Sequence, residues 1–152
     1  MKKLNLGCGK DIKTGFVNAD MLKLPGVDKV MNLNKFPWPF ESNQFDYVLC
    51  SRILEYSLDI NKVINELYRI TKNKGVIEII SPYYKSDGAF KHSSFITKTT
   101  FLTYLPKEGF NIIKNKLVCH GKIRRFVPFK KLLTFFLWNM YDTIYLKVRV
   151  SK

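Results

Sequence analysis

The residues best placed to do chemistry are a pair of glycines near the start of the chain. Lys3-Leu4-Asn5-Leu6 reads as a buried strand and runs directly into Gly7-Cys8-Gly9-Lys10. Two glycines one residue apart let the backbone bend sharply and bring no side chains, so a ligand can lie against main-chain amides. A strand followed by Gly-x-Gly is the nucleotide-cofactor signature of doubly wound α/β folds, and an ordinary tight turn is the other reading of the same residues. Ile12 stands where a dinucleotide fingerprint needs its third glycine, which argues against NAD or FAD. Cys8, Cys50 and Cys119 are odd in number, widely spaced and lack any Cys-x-x-Cys pairing. They read as reduced thiols, with no disulfide frame and no metal site expected.

The elements that must position the glycine turn alternate along the chain. Phe16 to Asp20 reads as a second strand ending in an acid, and Val27 to Leu33 as a third. Phe36-Pro37-Trp38-Pro39-Phe40 is a loop, because its two prolines remove donors and fix the backbone. Phe45 to Ser51 is largely apolar, the pattern of a strand buried on both faces. A helix follows, capped by Asp59, with Ile60, Val63, Ile64, Leu67 and Ile70 at helical spacing, Lys72 and Lys74 in its last turn and Gly75 as its stop. Val76 to Ile80 is the fifth strand, so strand, helix and strand make a right-handed βαβ unit and a mostly parallel sheet. Beyond it, Tyr83 to His92 reads as a loop, Lys98 to Leu105 as a helix, Phe110 to Val118 as a strand and Phe129 to Tyr141 as an apolar helix. Thr143 to Val150 alternates cleanly as a last strand at an edge or antiparallel position. Residues 10–15 are too few for a normal parallel crossover. The first crossover helix must be vestigial, or else the first two strands form a hairpin that would place Asp20 at the wrong end.

At 152 residues and 46% apolar, the chain is read as one domain, 1–152, with a ligand-binding half to about residue 82 and the remainder from 83 onward. Met1-Lys2-Lys3 precedes only a short apolar run, and no stretch is long enough to span a bilayer, so a cytoplasmic location is expected. The formal net charge is +14. From Phe110 onward there are ten basic residues and one acid, Asp142. Such a balance suits nucleic acid, acidic lipid or an anionic substrate, and it equally suits a solvated surface.

Leu4-Asn5-Leu6-Gly7-Cys8-Gly9, Gly15 to Asp20, Phe36 to Phe40, Phe45-Asp46-Tyr47-Val48, Ser51 with Leu54-Glu55, and Glu66 to Ile70 with Gly75 together resemble a class I S-adenosylmethionine-dependent methyltransferase of the small type 11 subgroup. The resemblance covers roughly residues 3–105. It implies a Rossmann-like sheet of seven strands, six parallel and the last antiparallel, with helices on both faces. It also implies S-adenosylmethionine as cofactor and S-adenosylhomocysteine as product.

By the same resemblance, Gly7, Cys8 and Gly9 would lie against the methionine part of the cofactor and Asp20 would accept both ribose hydroxyls. Met21 would pack on the adenine face, Asn32 and Leu33 would meet the adenine edge, and the backbone of Ser51 would face the amine. Tyr56 stands where the family generally has histidine after Leu-Glu; His92, in the loop after the fifth strand, aligns with a histidine common there in relatives and is the candidate catalytic base, with Tyr83, Tyr84 and Tyr56 on the substrate side. Methylation of nucleic-acid bases goes with an Asn/Asp-Pro-Pro-Tyr run, which Ser51-Arg52-Ile53-Leu54 replaces here. The resemblance therefore favours a small-molecule acceptor, hydrophobic or anionic. A non-catalytic relative acting through protein contacts, and a basic module binding nucleic acid or a membrane surface through Arg124, Arg125, Lys130 and Lys131, stand as the alternatives. The oligomeric state is not written in the sequence.

Overall fold

The computed structural model describes residues 1–83, 109–118 and 143–152. Their strands are β1 (Lys3–Leu6), β2 (Val17–Asp20), β3 (Lys29–Val30), β4 (Phe45–Ser51), β5 (Thr71–Pro82), β6 (Phe110–Val118) and β7 (Thr143–Val150). A 3-10 turn at Leu54–Tyr56 and helix α1 (Ile60–Ile70) lie between β4 and β5. The seven strands form one sheet in the order β3-β2-β1-β4-β5-β7-β6. Strands β1 to β5 pair in parallel, and β7 runs antiparallel to both β5 and β6, so a single strand is reversed.

Burial follows the two faces of that sheet. Leu4, Leu6, Val48, Cys50, Ile77, Ile79, Leu146 and Val148 form one cluster with Val63, Ile64, Leu67 and Ile70 of α1. Each fully buried leucine or isoleucine contributes about 1.5–3 kcal/mol. The opposite face mixes polar side chains, including Asn5, Asn18, Glu78 and Lys147, with apolar Leu49, Val76 and Ile80. The expected helices on both faces are thus met, among the described residues, by α1 on one face. The expected helices at 98–105 and 129–141 lie outside the described residues.

Two boundaries differ from expectation. Asp59 caps α1 by accepting from the Lys62 amide at 3.1 Å, but the helix ends at Ile70, and Thr71 is already extended. Lys72, Lys74 and Gly75 therefore belong to β5, where Lys72 Nζ meets Asp46 at 3.0 Å and Thr71 registers with Phe45 of β4. Sheet pairing takes the backbone groups that a longer helix would have used. The third strand shrinks to Lys29–Val30 because turns occupy its flanks.

The double-proline loop is held by α1. Trp38 is 2% exposed; its amide donates to Glu66 Oε2 at 2.7 Å and its indole to the Leu33 carbonyl at 3.0 Å. Arg69 binds Glu66 Oε1 at 2.7 Å and donates to the carbonyls of Phe40 and Trp38. Burial pushes the Glu66 carboxyl up, but the Arg69 guanidinium and the Trp38 amide outweigh it and hold the group below its ordinary value. A depressed carboxylate stabilises the fold above its unfolded pKa and loses that contribution as pH falls through the folded one. Glu66→Gln is expected to cost about 2–3 kcal/mol at neutral pH and to flatten the acid limb of stability against pH. Urea melts of parent and variant between pH 7 and acid check this; parallel acid limbs would count against it.

Candidate functional site

The C-terminal ends of the parallel strands build the site. Between β1 and β2 the chain takes no helix, yet the strands pair in parallel, with Leu4 opposite Val17 and Leu6 opposite Ala19. The hairpin alternative is excluded, and Asp20 stands at the same end of the sheet as Gly7. A pair of buried amides does the work of the missing helix. Asn5 Nδ2 donates to the Asp11 carbonyl at 2.8 Å and to Asn18 Oδ1 at 3.0 Å. Asn18 Oδ1 also accepts from the Lys13 amide, and its Nδ2 donates to the carbonyls of Lys13 and Phe16.

Gly7 and Gly9 take φ of +68° and +51°, the left-handed region that favours glycine. A Cβ on Gly7 would come within 2.5 Å of the Ile53 side chain, so the bare position lets the chain after β4 close onto the turn. The main-chain donors of the turn point inward, contrary to the expectation of amides open to a ligand. The Gly7 and Cys8 amides both donate to the Ala19 carbonyl, at 2.8 and 3.1 Å, and the Gly9 amide donates to Asp20 Oδ2 at 2.8 Å. What the turn offers is shape, with the Asp20 carboxylate fixed beside it. Asp20 Oδ1 accepts from the Leu22 amide at 2.9 Å. A carboxylate has about four acceptor positions, so two remain.

These residues face a cavity of about 380 Å³, inside the size range of cofactor sites. Gly7, Asp20, Met21, Asn32, Leu33 and Tyr56 line it; Cys8, Gly9 and Ser51 do not. Cys8 is 5% exposed, and burial, then the Asp20 charge, pushes its thiol up, so it sits under the turn as a neutral group. Asn32 Oδ1 accepts from the Asn34 amide at 2.9 Å. Met21 is 61% exposed and Tyr56 48%, at the rim. Tyr83 is buried just after β5; Tyr84 and His92 lie outside the described residues.

Six lining residues escaped sequence reasoning: Leu6, Ala19, Leu22, Met31, Asn34 and Ile53. Ile53 closes on Gly7, Met31 continues the floor beyond β3, and Asn34 joins two walls. Asn34 Nδ2 donates to the Tyr56 carbonyl at 3.2 Å while its Oδ1 accepts from the Leu58 amide at 2.9 Å. Nothing local marks the Asn34 side chain, because its partners are more than twenty residues away.

The strand order with one reversed strand, and an apolar cavity closed by a glycine turn and a strand-end carboxylate, define a class I methyltransferase fold. Residues 8–79 match the methyltransferase domain family. The 1,6-didemethyltoxoflavin-N1-methyltransferase of Burkholderia thailandensis, solved with 1,6-didemethyltoxoflavin and S-adenosylhomocysteine, superimposes with a TM-score of 0.70 at 13% identity, covering 99% of this chain and 71% of that one. An S-adenosylmethionine-dependent methyltransferase of Mesorhizobium loti gives 0.68 at 13% identity, over 97% and 90% of the two chains. At such identities the likeness is one of fold. An uncharacterized protein of Methanocaldococcus jannaschii is 29% identical over 131 residues, 79% of this chain and 57% of that protein. The chain thus spans a little over half the length of that curated relative.

Proposed function

We propose that this protein binds S-adenosylmethionine in the cavity between Gly7, Asp20 and Asn32 and transfers a methyl group to a small-molecule acceptor. The observation that carries the reading is the Asp20 carboxylate, pinned by the Gly9 and Leu22 amides and still holding two acceptor positions at the edge of an apolar cavity. Such a carboxylate suits a vicinal diol, the two hydroxyls of a ribose. Leu6, Ala19, Met31 and Leu33 give an aromatic base an apolar slot, and the carbonyl oxygen of Asn32 keeps a lone pair for an exocyclic amine. When bound, the cofactor supplies an electrophilic methyl on a sulfonium. The chain's part is alignment and exclusion of water: Ile53 and the Asn34 latch close the cavity, and Tyr56 stands at the rim where an acceptor would enter. Cys8 and Gly9 support the turn from beneath, and Ser51 ends β4 beside it. His92 is the proposed base for an acceptor that must lose a proton. The net charge of +14 favours an anionic acceptor.

S-adenosylhomocysteine at 100 times its dissociation constant is expected to add about 2.7 kcal/mol of stability, several degrees in a thermal melt. Incubation with methyl-labelled cofactor and pooled metabolite fractions should then yield a labelled small product. A melt indifferent to S-adenosylhomocysteine would overturn the cofactor site; a shift without any labelled product would leave a binding protein in place of an enzyme.

A further inference from the structure

The sheet face opposite α1 has a composition that the cavity does not use. In doubly wound folds both faces of a parallel sheet are covered, and their strands read as apolar runs. Here the alternate positions set Lys3, Tyr47, Tyr145, Lys147 and Arg149 among apolar Leu49, Val76 and Ile80. Lys3 Nζ lies 5.2 Å from the centroid of the Phe16 ring, which meets Tyr47 edge to face at 5.9 Å. Lys147 Nζ lies 5.7 Å from the Tyr47 ring, and Lys114 and Lys116 lie 5.8 and 5.5 Å from Tyr145. These contacts lie on β1, β4, β7 and β6, with Glu78 of β5 between Tyr47 and Lys147 and with Arg149 in the same alternation on β7.

The charge on this face is one-sided. Its acid, Glu78, is already engaged by Lys147 at 3.2 Å and by the hydroxyls of Tyr47 and Tyr145. No acid among the described residues pairs with Lys3, Lys114, Lys116 or Arg149. Lys114 stands directly opposite Lys147 in the β6–β7 register, a like-charge cross-strand pair that costs stability. Lys114, Lys116 and Arg149 are exposed. A local arrangement that disfavours the isolated fold, with no acidic partner among the described residues, marks a surface shaped for something outside.

We propose that this face binds single-stranded nucleic acid. The cations match a phosphate chain, and rings spaced across a sheet match unstacked bases, as in other sheet platforms. A duplex fits less well, because no helix or ribbon among the described residues rises from this face to enter a groove. A lipid surface fits less well, because the exposed side chains on this face are Asn111, Lys114, Lys116 and Arg149 with the single apolar Ile113 at the β6 irregularity, too little apolar surface to enter a bilayer. The surface is separate from the cavity, and it stands whether or not the cavity binds S-adenosylmethionine.

The test is fluorescence anisotropy of the full chain with labelled oligo(U) and oligo(dT) of about twelve nucleotides, between about 50 and 200 mM salt. Binding is expected to weaken steeply with salt. The double variant Lys114→Glu with Lys116→Glu should bind at least about tenfold more weakly at low salt, and its log–log salt slope should fall by about 1.4, two phosphate contacts on a single strand. Tyr145→Phe keeps the ring and should retain binding, whereas Tyr145→Leu should lose about tenfold. The glutamates relieve a like-charge pair, so the variant should melt no lower than the parent. No oligonucleotide binding at low salt, binding indifferent to the double variant, or binding to phosphatidylserine vesicles or duplex DNA in preference to single strands would each overturn the proposal.

Discussion

Asp20→Asn is expected to abolish the S-adenosylhomocysteine thermal shift while leaving the fold standing. The carboxylate holds two backbone amides, Gly9 at 2.8 Å and Leu22 at 2.9 Å, and the diol of a ribose would take the acceptor positions left over. Asparagine keeps a carbonyl oxygen for one amide but turns the other oxygen into a donor, which faces either an N–H or a hydroxyl the wrong way. Hydrogen bonds to a charged group contribute about 1.5–3 kcal/mol each, so losing two at the diol weakens binding by about a hundredfold or more. The structural loss is smaller, because the site is open to water on the cavity side; about 1 kcal/mol is expected. Isothermal titration separates the two effects: a parent-like dissociation constant in Asp20→Asn would show that Asp20 only ties the turn together.

The sequence made the strands of this sheet legible wherever alternation or length was strong. β4, β6 and β7 begin and end where their patterns do, because Phe45 to Ser51 is a largely apolar run and Thr143 to Val150 alternates without a break. Gly75 was a false stop. It follows basic residues at the end of an apolar helical stripe, as a cap should, but Thr71 is claimed by Phe45 across the sheet, and tertiary pairing overrides the local signal. β3 was overread because apolar Val30 and Met31 serve the edge strand and the cavity floor respectively.

For the site, residue types at strand ends carried far. Gly7, Asp20, Asn32 and Leu33 do share one cavity, a grouping that follows once β1, β2 and β3 are known to be parallel. The direction of the glycine amides was not legible, since it depends on where the Ala19 carbonyl and the Asp20 side chain sit in three dimensions. Asn34 and Ile53 were invisible for the same reason. The buried amides left a trace that could have been read: Asn5 and Asn18 are polar residues in otherwise apolar strand cores, flanking a connection too short for a helix.

That trace leads to the largest stability effect expected. Asn18 is 4% exposed, and its side chain serves both strands and the loop between them. Its Oδ1 accepts from Asn5 Nδ2 at 3.0 Å and from the Lys13 amide at 2.9 Å, and its Nδ2 donates to the Lys13 carbonyl at 3.2 Å. Asn18→Ala strands those groups in a place that a methyl cannot rehydrate, at about 1–3 kcal/mol for each one left without a partner. A total of about 3–4 kcal/mol is expected, which lowers the melting temperature by about 6–14 °C for a chain of this size. Asn18→Asp should be at least as damaging, because it places a carboxylate against the Lys13 and Phe16 carbonyls and 3.4 Å from Asp28 Oδ2. Asn5→Ala should cost less, since Asn18 Oδ1 keeps the Lys13 amide and only the Asp11 carbonyl loses its donor. This ordering, read from denaturant melts, distinguishes an amide pair that replaces a crossover helix from one that merely fills space, for which Asn18→Ala would sit within about 1 kcal/mol of the parent. The consequence reaches the cavity through one shared element. β2 carries Asn18 and, two residues on, the Asp20 that holds Gly9, so at temperatures where Asn18→Ala is still folded its affinity for S-adenosylhomocysteine should already be reduced.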